Sequence, residues 1–177
     1  FRFWINYLKQ KYCFKNSIGI IFISKYAKKI ISKTLNLENK NLSIIHHGLS
    51  NKFTGKLKIN KNIKYFSETK PYVLLYISSI HEYKHQWNVV EAVSNLRNKG
   101  YNLQLNLVGD VIFKPALDKL NNSIQLFDSN SEFVRLFNNI QYKDIEHFYN
   151  SANGIVYAST CENMPNILIE SMASGIP

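Results

Sequence analysis

The chain has 177 residues, of which 45% are hydrophobic, enough for a buried core and too many for a disordered segment. Cys13 and Cys161 are its only cysteines, so the sequence predicts neither a disulfide framework nor a cysteine-based metal cluster. No run of about 18 apolar residues occurs, and no membrane-spanning helix is therefore predicted.

The net charge of +10 is unevenly distributed. Residues 1–70 hold 15 basic and two acidic residues, a balance of +13, whereas residues 71–177 hold 7 basic and 10 acidic residues, a balance of −3. This asymmetry suggests two units with different surroundings. A basic surface attracts anionic lipid and nucleic acid alike, and a solvated lysine-rich surface is the simpler alternative.

The first part of the chain predicts two helices and two strands. Large apolar residues recur at helical spacing over 1–16, and the β-branched run 17–23 is typical of a strand buried on both faces. Ser24 is suited to cap a helix over 25–34, and a second strand is predicted over 43–46. The Lys- and Asn-rich segment that follows predicts an exposed linker.

From residue 72 onward, short apolar strands alternate with amphipathic helices. The predicted strands are 72–77, 103–108, 132–136 and 154–157, and the predicted helices are 85–98, 113–122, 143–152 and 166–173. This alternation indicates an α/β fold, a Rossmann-like parallel sheet flanked by helices. Ligands of such sheets bind beyond the carboxyl ends of the strands, in the loops 78–84, 109–113, 137–142 and 158–166.

The domain organisation predicted from these patterns has three parts. Residues 1–50 are assigned to the end of an N-terminal domain, 51–70 to a linker, and 71–177 to most of a C-terminal domain. The first residue is not Met and the last residues enter a predicted strand, so both ends are interpreted as cuts.

Two carboxylates around the last predicted helix give the strongest site signal. Glu162 and Glu170 are eight positions apart, and Pro165 between them suits the first turn of a helix. Carboxylates accept hydrogen bonds from sugar and ribose hydroxyls, and a helix N-terminus suits phosphate. Taken alone, the spacing fits a capping carboxylate and a surface Glu better.

The surrounding sequence, however, resembles the signature of glycosyltransferase family 4, which are retaining enzymes of the GT-B architecture. The stretch from Glu162 to Pro177 is similar to E-G-F-P, four residues, and E-A-M-A-S-G-x-P. Similarity continues upstream, in the family's order, through Ser24, 45–48, 76–79, Lys84, Glu91-Ala92 and 105–110. The resemblance therefore covers nearly the whole chain.

The resemblance implies a role for each matched position. Glu170 would hold the ribose hydroxyls of a nucleotide sugar, Glu162 would contact the donor sugar near its reacting carbon, and Lys84 would neutralise the diphosphate. A fixed cation that stabilises this leaving group is a large catalytic contribution. The rest of the implied donor site comprises the backbone of Asn163, Met164, Pro165 and Asn166, the nucleobase loop with Asn138 and Ile140, and Gly109 and Ser79. No metal or other cofactor is expected.

Two positions depart from the family pattern. Ser78-Ser79 stands where the family often has Gly-Arg, so the usual arginine partner of the lysine is missing and Ser79 offers only a hydrogen bond. Asn163 replaces the glycine of E-G-F-P, and asparagine tolerates a left-handed conformation.

The resemblance implies transfer of a sugar from a nucleotide diphosphate donor to a saccharide or lipid-linked acceptor in cell-surface polysaccharide or lipopolysaccharide synthesis. The enzyme would be cytoplasmic, with the inner membrane face as a further partner, and the chain alone would be inactive. Two alternatives stay open. One is a nucleic-acid-binding module in 1–70, against which the lack of a reading motif counts, and the other is a sugar-nucleotide-binding protein without turnover. The adjacent His46 and His47 favour a hinge over a metal site.

Overall fold

The computed structural model describes residues 2–53 and 62–177, and the chain divides into two units. The first unit contains residues up to 48 together with 162–165, and the second contains 49–161 together with 166–177. The helices are α1 (Arg2–Asn16), α2 (Lys25–Leu35), α3 (Gln86–Arg97), α4 (Lys114–Phe127), α5 (Ile145–Ser151) and α6 (Asn166–Ala173). The strands are β1 (Gly19–Phe22), β2 (Asn41–Ile44), β3 (Tyr72–Ile77), β4 (Leu103–Val108), β5 (Val134–Phe137) and β6 (Gly154–Ile155).

In the first unit, β1 and β2 form a parallel pair next to α1 and α2. The predicted N-cap is confirmed, because the Ser24 hydroxyl accepts a hydrogen bond from the Ala27 amide at 3.0 Å. Buried side chains of β1 and α2 form a small core, made of Ile20, Phe22, Ala27, Leu35 and Leu37.

Two predictions for this unit are wrong. Strand β2 ends at Ile44 and not at His46, because its partner β1 ends at Phe22, just before the α2 cap. His46 instead donates from Nδ1 to the Ile23 carbonyl at 2.9 Å. Strand β1 is buried on one face only, with Ile21 65% exposed, since nothing among the described residues covers that side.

The second unit is a four-stranded parallel sheet in the order β5-β4-β3-β6. Strands β3, β4 and α6 have the predicted bounds. Helices α3 and α4 cover one face, over a core that includes Val90, Leu105 and Leu120. The opposite face packs Leu75, Tyr149 and Ile176 against one another. Both faces are therefore buried, as a parallel sheet requires.

Four predicted boundaries in this unit need correction. Helix α4 runs five residues past 122, because its last turns pack Ile124 and Phe127 on the core. Strand β5 begins at Val134 and not at 132, because the Asp128 carboxylate accepts hydrogen bonds from the amides of Glu132, Phe133 and Val134. Strand β6 keeps only two of four predicted residues, and the helix predicted over 143–152 is a 3₁₀ turn followed by the seven-residue α5.

The segment predicted as a linker, 51–70, is described only at its two flanks, and residues 54–61 lie outside the described residues. Phe53 is 3% exposed and packs edge-on against Tyr142 and Tyr149. At the other flank, Phe66 contacts Tyr72 in the same way. Each flank thus has one aromatic ring packed within the second unit, whereas most of its other described residues are exposed, and the linker bounds stay a prediction.

Candidate functional site

The strand order of the second unit creates a switch point beside β3. The chain runs from β3 to β4 and β5 on one side and then returns to place β6 on the other side of β3. The chain after β3 therefore leads to a helix on one face of the sheet and the chain after β6 to a helix on the other face, and doubly wound sheets bind ligands at such a point. Lys84 lies in the first of these loops, and the segment leading to Glu162 lies in the second.

These two loops are hydrogen-bonded to each other within the second unit. The Thr160 amide donates to the Tyr83 carbonyl at 2.9 Å, and His85 Nε2 lies 2.9 Å from Thr160 Oγ1. His85 adopts a left-handed backbone conformation, with a φ of 52°, directly before α3. No pattern in the sequence predicts this link, because a contact across 75 residues leaves no local signal.

The loop that contains Lys84 is also hydrogen-bonded to strand β3. The buried Tyr76 hydroxyl donates to the Lys84 carbonyl at 2.6 Å, which fixes the backbone of the loop to β3. The Lys84 ammonium lies 5.1 Å from the centre of the Tyr83 ring, within the range of a cation–π contact. The Lys84 ammonium group therefore extends from a turn whose backbone is held in place by a hydrogen bond.

The Ser78-Ser79 turn, at the position of the family's Gly-Arg, is tightly packed. Gly109 has a φ of +146°, and a Cβ built on it would lie 2.2 Å from the Ser78 carbonyl oxygen, so only glycine fits there. The amide group of Gln86, which is 2% exposed, donates to the Ser79 carbonyl at 3.0 Å. Gly109 and Gln86 thus hold the backbone of Ser78 and Ser79 in place, at the position where the family often has Gly-Arg. The Ser79 side chain is half-buried.

The predicted nucleobase loop is tied to the loop after β4. The Asn139 amide donates to the Asp110 carboxylate at 2.6 Å, and Asn139 has a left-handed φ of 57°. Asn138 is exposed, whereas Ile140 packs against the core of the second unit. Asp110 follows Gly109 directly. One short loop therefore contacts both Ser78 and the predicted nucleobase loop.

Glu170 lies in the second turn of α6, as predicted, and is 7% exposed. The Tyr142 hydroxyl donates to its Oε1 at 2.9 Å, and the Tyr149 hydroxyl donates to its Oε2 at 3.2 Å. Burial raises the pKa of the Tyr149 hydroxyl, and the neighbouring Glu170 carboxylate raises it further. Burial and the same carboxylate also raise the pKa of the Tyr142 hydroxyl, so both tyrosines stay neutral donors at physiological pH. Neither tyrosine is marked by the sequence as a partner of Glu170.

Glu162, Asn163, Met164 and Pro165 are assigned to the first unit, and the other predicted site residues are assigned to the second. Glu162 and Asn163 are exposed, and the Ser24 hydroxyl donates a hydrogen bond to the Asn163 side-chain oxygen. Pro165 directly precedes α6, where its missing N–H costs no helical hydrogen bond. Asn166 is the first residue of α6 and is exposed.

Among residues 2–53 and 62–177, no three His, Cys, Asp or Glu side chains lie close enough together to hold a metal ion. In the same parts of the chain, every helix is too short or too polar to cross a bilayer.

The chain matches known proteins in sequence. The family model for glycosyl transferases group 1 matches residues 58–177. The chain is 28% identical over 183 residues to the capsular polysaccharide biosynthesis glycosyltransferase CapM of Staphylococcus aureus, with 100% of this chain and 47% of CapM covered. It is 27% identical over 106 residues to an uncharacterized glycosyltransferase of Methanocaldococcus jannaschii, with 60% of this chain and 25% of that protein covered. The chain thus spans less than half the length of these relatives.

Solved structures match the fold. HepE of Anabaena, in complex with UDP and glucose, has a TM-score of 0.73 at 17% identity, with 93% of this chain and 44% of HepE covered. Sucrose-phosphate synthase of Thermosynechococcus elongatus has a TM-score of 0.70 at 20% identity, with 95% and 41% covered. The predicted fold class, an α/β fold with a parallel sheet flanked by helices, is confirmed. Since the family model covers more than half of the sequence, the chain belongs to the glycosyl transferases group 1 family.

Proposed function

We propose that the intact protein is a retaining glycosyltransferase of family 4 that moves a sugar from a nucleotide diphosphate donor to a saccharide or lipid-linked acceptor. Membership of the glycosyl transferases group 1 family supports the reaction class. The likeness to CapM, named for capsular polysaccharide biosynthesis, supports a role in cell-surface polysaccharide assembly. In the reaction, the bond between the anomeric carbon and the diphosphate breaks, the acceptor oxygen bonds to that carbon, and the acceptor hydroxyl loses its proton.

The observation that carries this proposal is the buried and hydrogen-bonded position of the Glu170 carboxylate. The carboxylate is buried on α6, the helix that follows the switch-point strand β6, and its hydrogen bonds hold it in place. A pre-oriented carboxylate at this edge of a parallel sheet suits the ribose of a nucleotide. Gly109, with Asn138 and Ile140 beyond it, would line the nucleotide on the β4 and β5 side.

Lys84 and Glu162 would act on the reacting part of the donor. The Lys84 ammonium would balance the negative charge that grows on the diphosphate as it leaves, with a hydrogen bond from Ser79 in place of the missing arginine. Glu162 would bind donor-sugar hydroxyls, and the backbone from Asn163 to Asn166 at the start of α6 would seat sugar and phosphate. We propose that this charge balance makes a metal ion or other cofactor unnecessary.

Calorimetric titration of the intact protein with UDP, GDP and ADP tests the ribose contact. We expect one of these nucleotides to bind, and Glu170→Ala to weaken that binding about 10- to 100-fold, because the carboxylate accepts charge-assisted hydrogen bonds. Asp118→Ala removes an exposed carboxylate of α4 and is the matched control. Unchanged affinity in Glu170→Ala would refute the site.

Measurement of turnover tests the proposed role of Lys84 and the stereochemistry of transfer. With the sugar donor of the nucleotide that binds, we expect Lys84→Ala to lower kcat about 100-fold or more while nucleotide affinity falls less. The product should keep the donor's anomeric configuration, as read by proton NMR. An inverted product would contradict the retaining mechanism.

A second candidate is a sugar-nucleotide-binding protein without turnover. It is favoured by Ser79 at the position where the family often has arginine, because a serine brings no charge to the diphosphate. Transfer or hydrolysis of a bound donor by the intact protein would exclude it.

A further inference from the structure

The two hydroxyl partners of Glu170 differ in their exposure. Tyr149, which donates to Oε2, is 1% exposed and belongs to the core of the second unit. Tyr142, which donates to Oε1, is 58% exposed. One oxygen of the buried carboxylate is thus held from inside the protein and the other from its surface.

Phe53 gives the two tyrosines a common support. Its ring packs edge-on against Tyr142 at 5.7 Å and against Tyr149 at 5.5 Å between centroids. Tyr149 is fixed in addition by the core around it. Tyr142 lies in a 3₁₀ turn of three residues, in the loop that leads from β5 to α5. Of the two, Tyr142 is therefore the side chain that can leave Glu170 without opening the core.

This arrangement bears on how a ribose could reach Glu170. The inference drawn from it rests on the proposed function of that carboxylate. Both carboxylate oxygens already accept a tyrosine hydroxyl, and only 7% of Glu170 is exposed. A ribose hydroxyl is the same kind of donor as a tyrosine hydroxyl, a neutral O–H directed at a carboxylate oxygen. Exchange of one for the other keeps Oε1 hydrogen-bonded throughout.

We propose that Tyr142 is a displaceable cover of the ribose site. Its hydroxyl donates to Oε1 of Glu170, as observed, and a ribose hydroxyl takes its place when nucleotide binds. Tyr149 remains on Oε2 and orients the carboxylate. Tyr142 thereby acts as a positioning and specificity residue, since only a ligand with a correctly placed hydroxyl can replace the bond that it gives up.

The test compares Tyr142→Phe and Tyr149→Phe in the intact protein by calorimetric titration with UDP, GDP and ADP. Tyr142→Phe removes the competing hydroxyl and keeps the ring against Phe53. We expect it to tighten binding of the recognised nucleotide about 3- to 10-fold, the equivalent of one net hydrogen bond. Tyr149→Phe removes the orienting hydroxyl, and we expect it to weaken binding.

The 2′,3′-dideoxy form of the same nucleotide separates this mechanism from a general loosening of the site. It has no ribose hydroxyl to place on Oε1, so Tyr142 stays where it is. We expect its affinity to be the same for the wild type and for Tyr142→Phe. A Tyr142→Phe variant that binds the ribonucleotide equally or more weakly would overturn the proposal.

The two proposals fail in different ways. If Glu170→Gln leaves ribonucleotide affinity unchanged, the carboxylate does not bind ribose and the proposed function of the site is wrong. If Glu170→Gln weakens binding but Tyr142→Phe does not strengthen it, only the displaceable cover is wrong. Thermal unfolding of each variant shows whether it folds, and we expect Tyr142→Phe to fold because the position is largely exposed.

Discussion

Asp128 illustrates how a single buried residue can set the start of a strand. Its carboxylate is 5% exposed and accepts hydrogen bonds from the amides of Glu132, Phe133 and Val134. These donors would otherwise be left unsatisfied at the turn between α4 and β5, where burial makes an unpaired amide costly. The sequence pattern could not foresee this, because an aspartate after a helix is equally common in solvent-exposed turns.

We predict that Asp128→Ala destabilises the protein by about 3 kcal/mol, because buried amides lose a charged acceptor. Asp128→Asn keeps one acceptor oxygen and should cost less. Urea denaturation measures both. Asp118→Ala is the control, since Asp118 pairs with Lys114 at an exposed position and its loss should change stability by less than about 0.5 kcal/mol. Equal losses at the two positions would contradict the prediction.

Tyr149 gives a prediction about alkaline pH. Burial raises the pKa of its hydroxyl above the usual value of 10.0, so the unfolded chain releases this proton first as pH rises. Its contribution to stability is therefore complete below about pH 10 and decreases above it, by about 1 kcal/mol between pH 10 and pH 11. Urea denaturation across this range should show a steeper decrease in the wild type than in Tyr149→Phe. Parallel curves would refute the assignment.

At the scale of elements, the ends of strands and helices are fixed by contacts with their neighbours. Strand β2 ends opposite the end of β1. Helix α4 continues to Phe127 because its apolar side chains still pack on the core there. The loops after β3, β4 and β6 are joined by hydrogen bonds and by the close approach of Gly109 to Ser78. The candidate site is therefore a set of mutually braced loops on a rigid sheet.

We predict that Gly109→Ala destabilises this set of loops by at least about 2 kcal/mol, because a Cβ there would clash with the Ser78 carbonyl and the φ of +146° disfavours alanine. Gly100→Ala is the matched control. It also has a positive φ, of +91°, but its Cβ would meet nothing within 4 Å, so only about 1 kcal/mol of strain is expected. Thermal denaturation of the two variants checks the difference. Equal midpoints would show that the close approach does not matter.

For the whole molecule, the dominant feature is the separation of charge. The +13 balance of residues 1–70 contrasts with −3 for 71–177. Helix α1 adds apolar side chains to this basic part. Within residues 2–53 and 62–177, Trp4 is 64% and Leu8 60% exposed, beside Lys9 and Lys11. Lysines together with exposed aromatic and aliphatic residues are typical of a helix that lies on an anionic membrane surface.

We therefore predict that the intact protein sediments with anionic phosphatidylserine vesicles at low salt and much less at an ionic strength of about 1 M, where charges are screened beyond about 3 Å. A Trp4→Ser, Leu8→Ser variant should bind the vesicles more weakly, because it loses apolar contact while keeping every charge. A single-stranded oligonucleotide is the control. Oligonucleotide binding that is salt-dependent and stronger than vesicle binding would favour the nucleic-acid alternative.

The sequence by itself determined the fold class, the bounds of β3, β4 and α6, and the assignment to the glycosyltransferases, whereas family 4 in particular stays a prediction. These follow from local information, because hydrophobic periodicity and the stretch from Glu162 to Pro177 are both contained in consecutive residues. The roles of Glu162, Lys84 and the other site residues stay predictions.

Only the tertiary structure decided which side chains surround those residues. The tyrosines on Glu170, the link between Thr160 and His85, and the hold of Asp110 on Asn139 each join residues more than 20 positions apart. The strand order brings them together, since β6 returns to the side of β3 opposite β4. Such contacts depend on the path of the whole chain through space, and a local pattern of residue types does not encode that path.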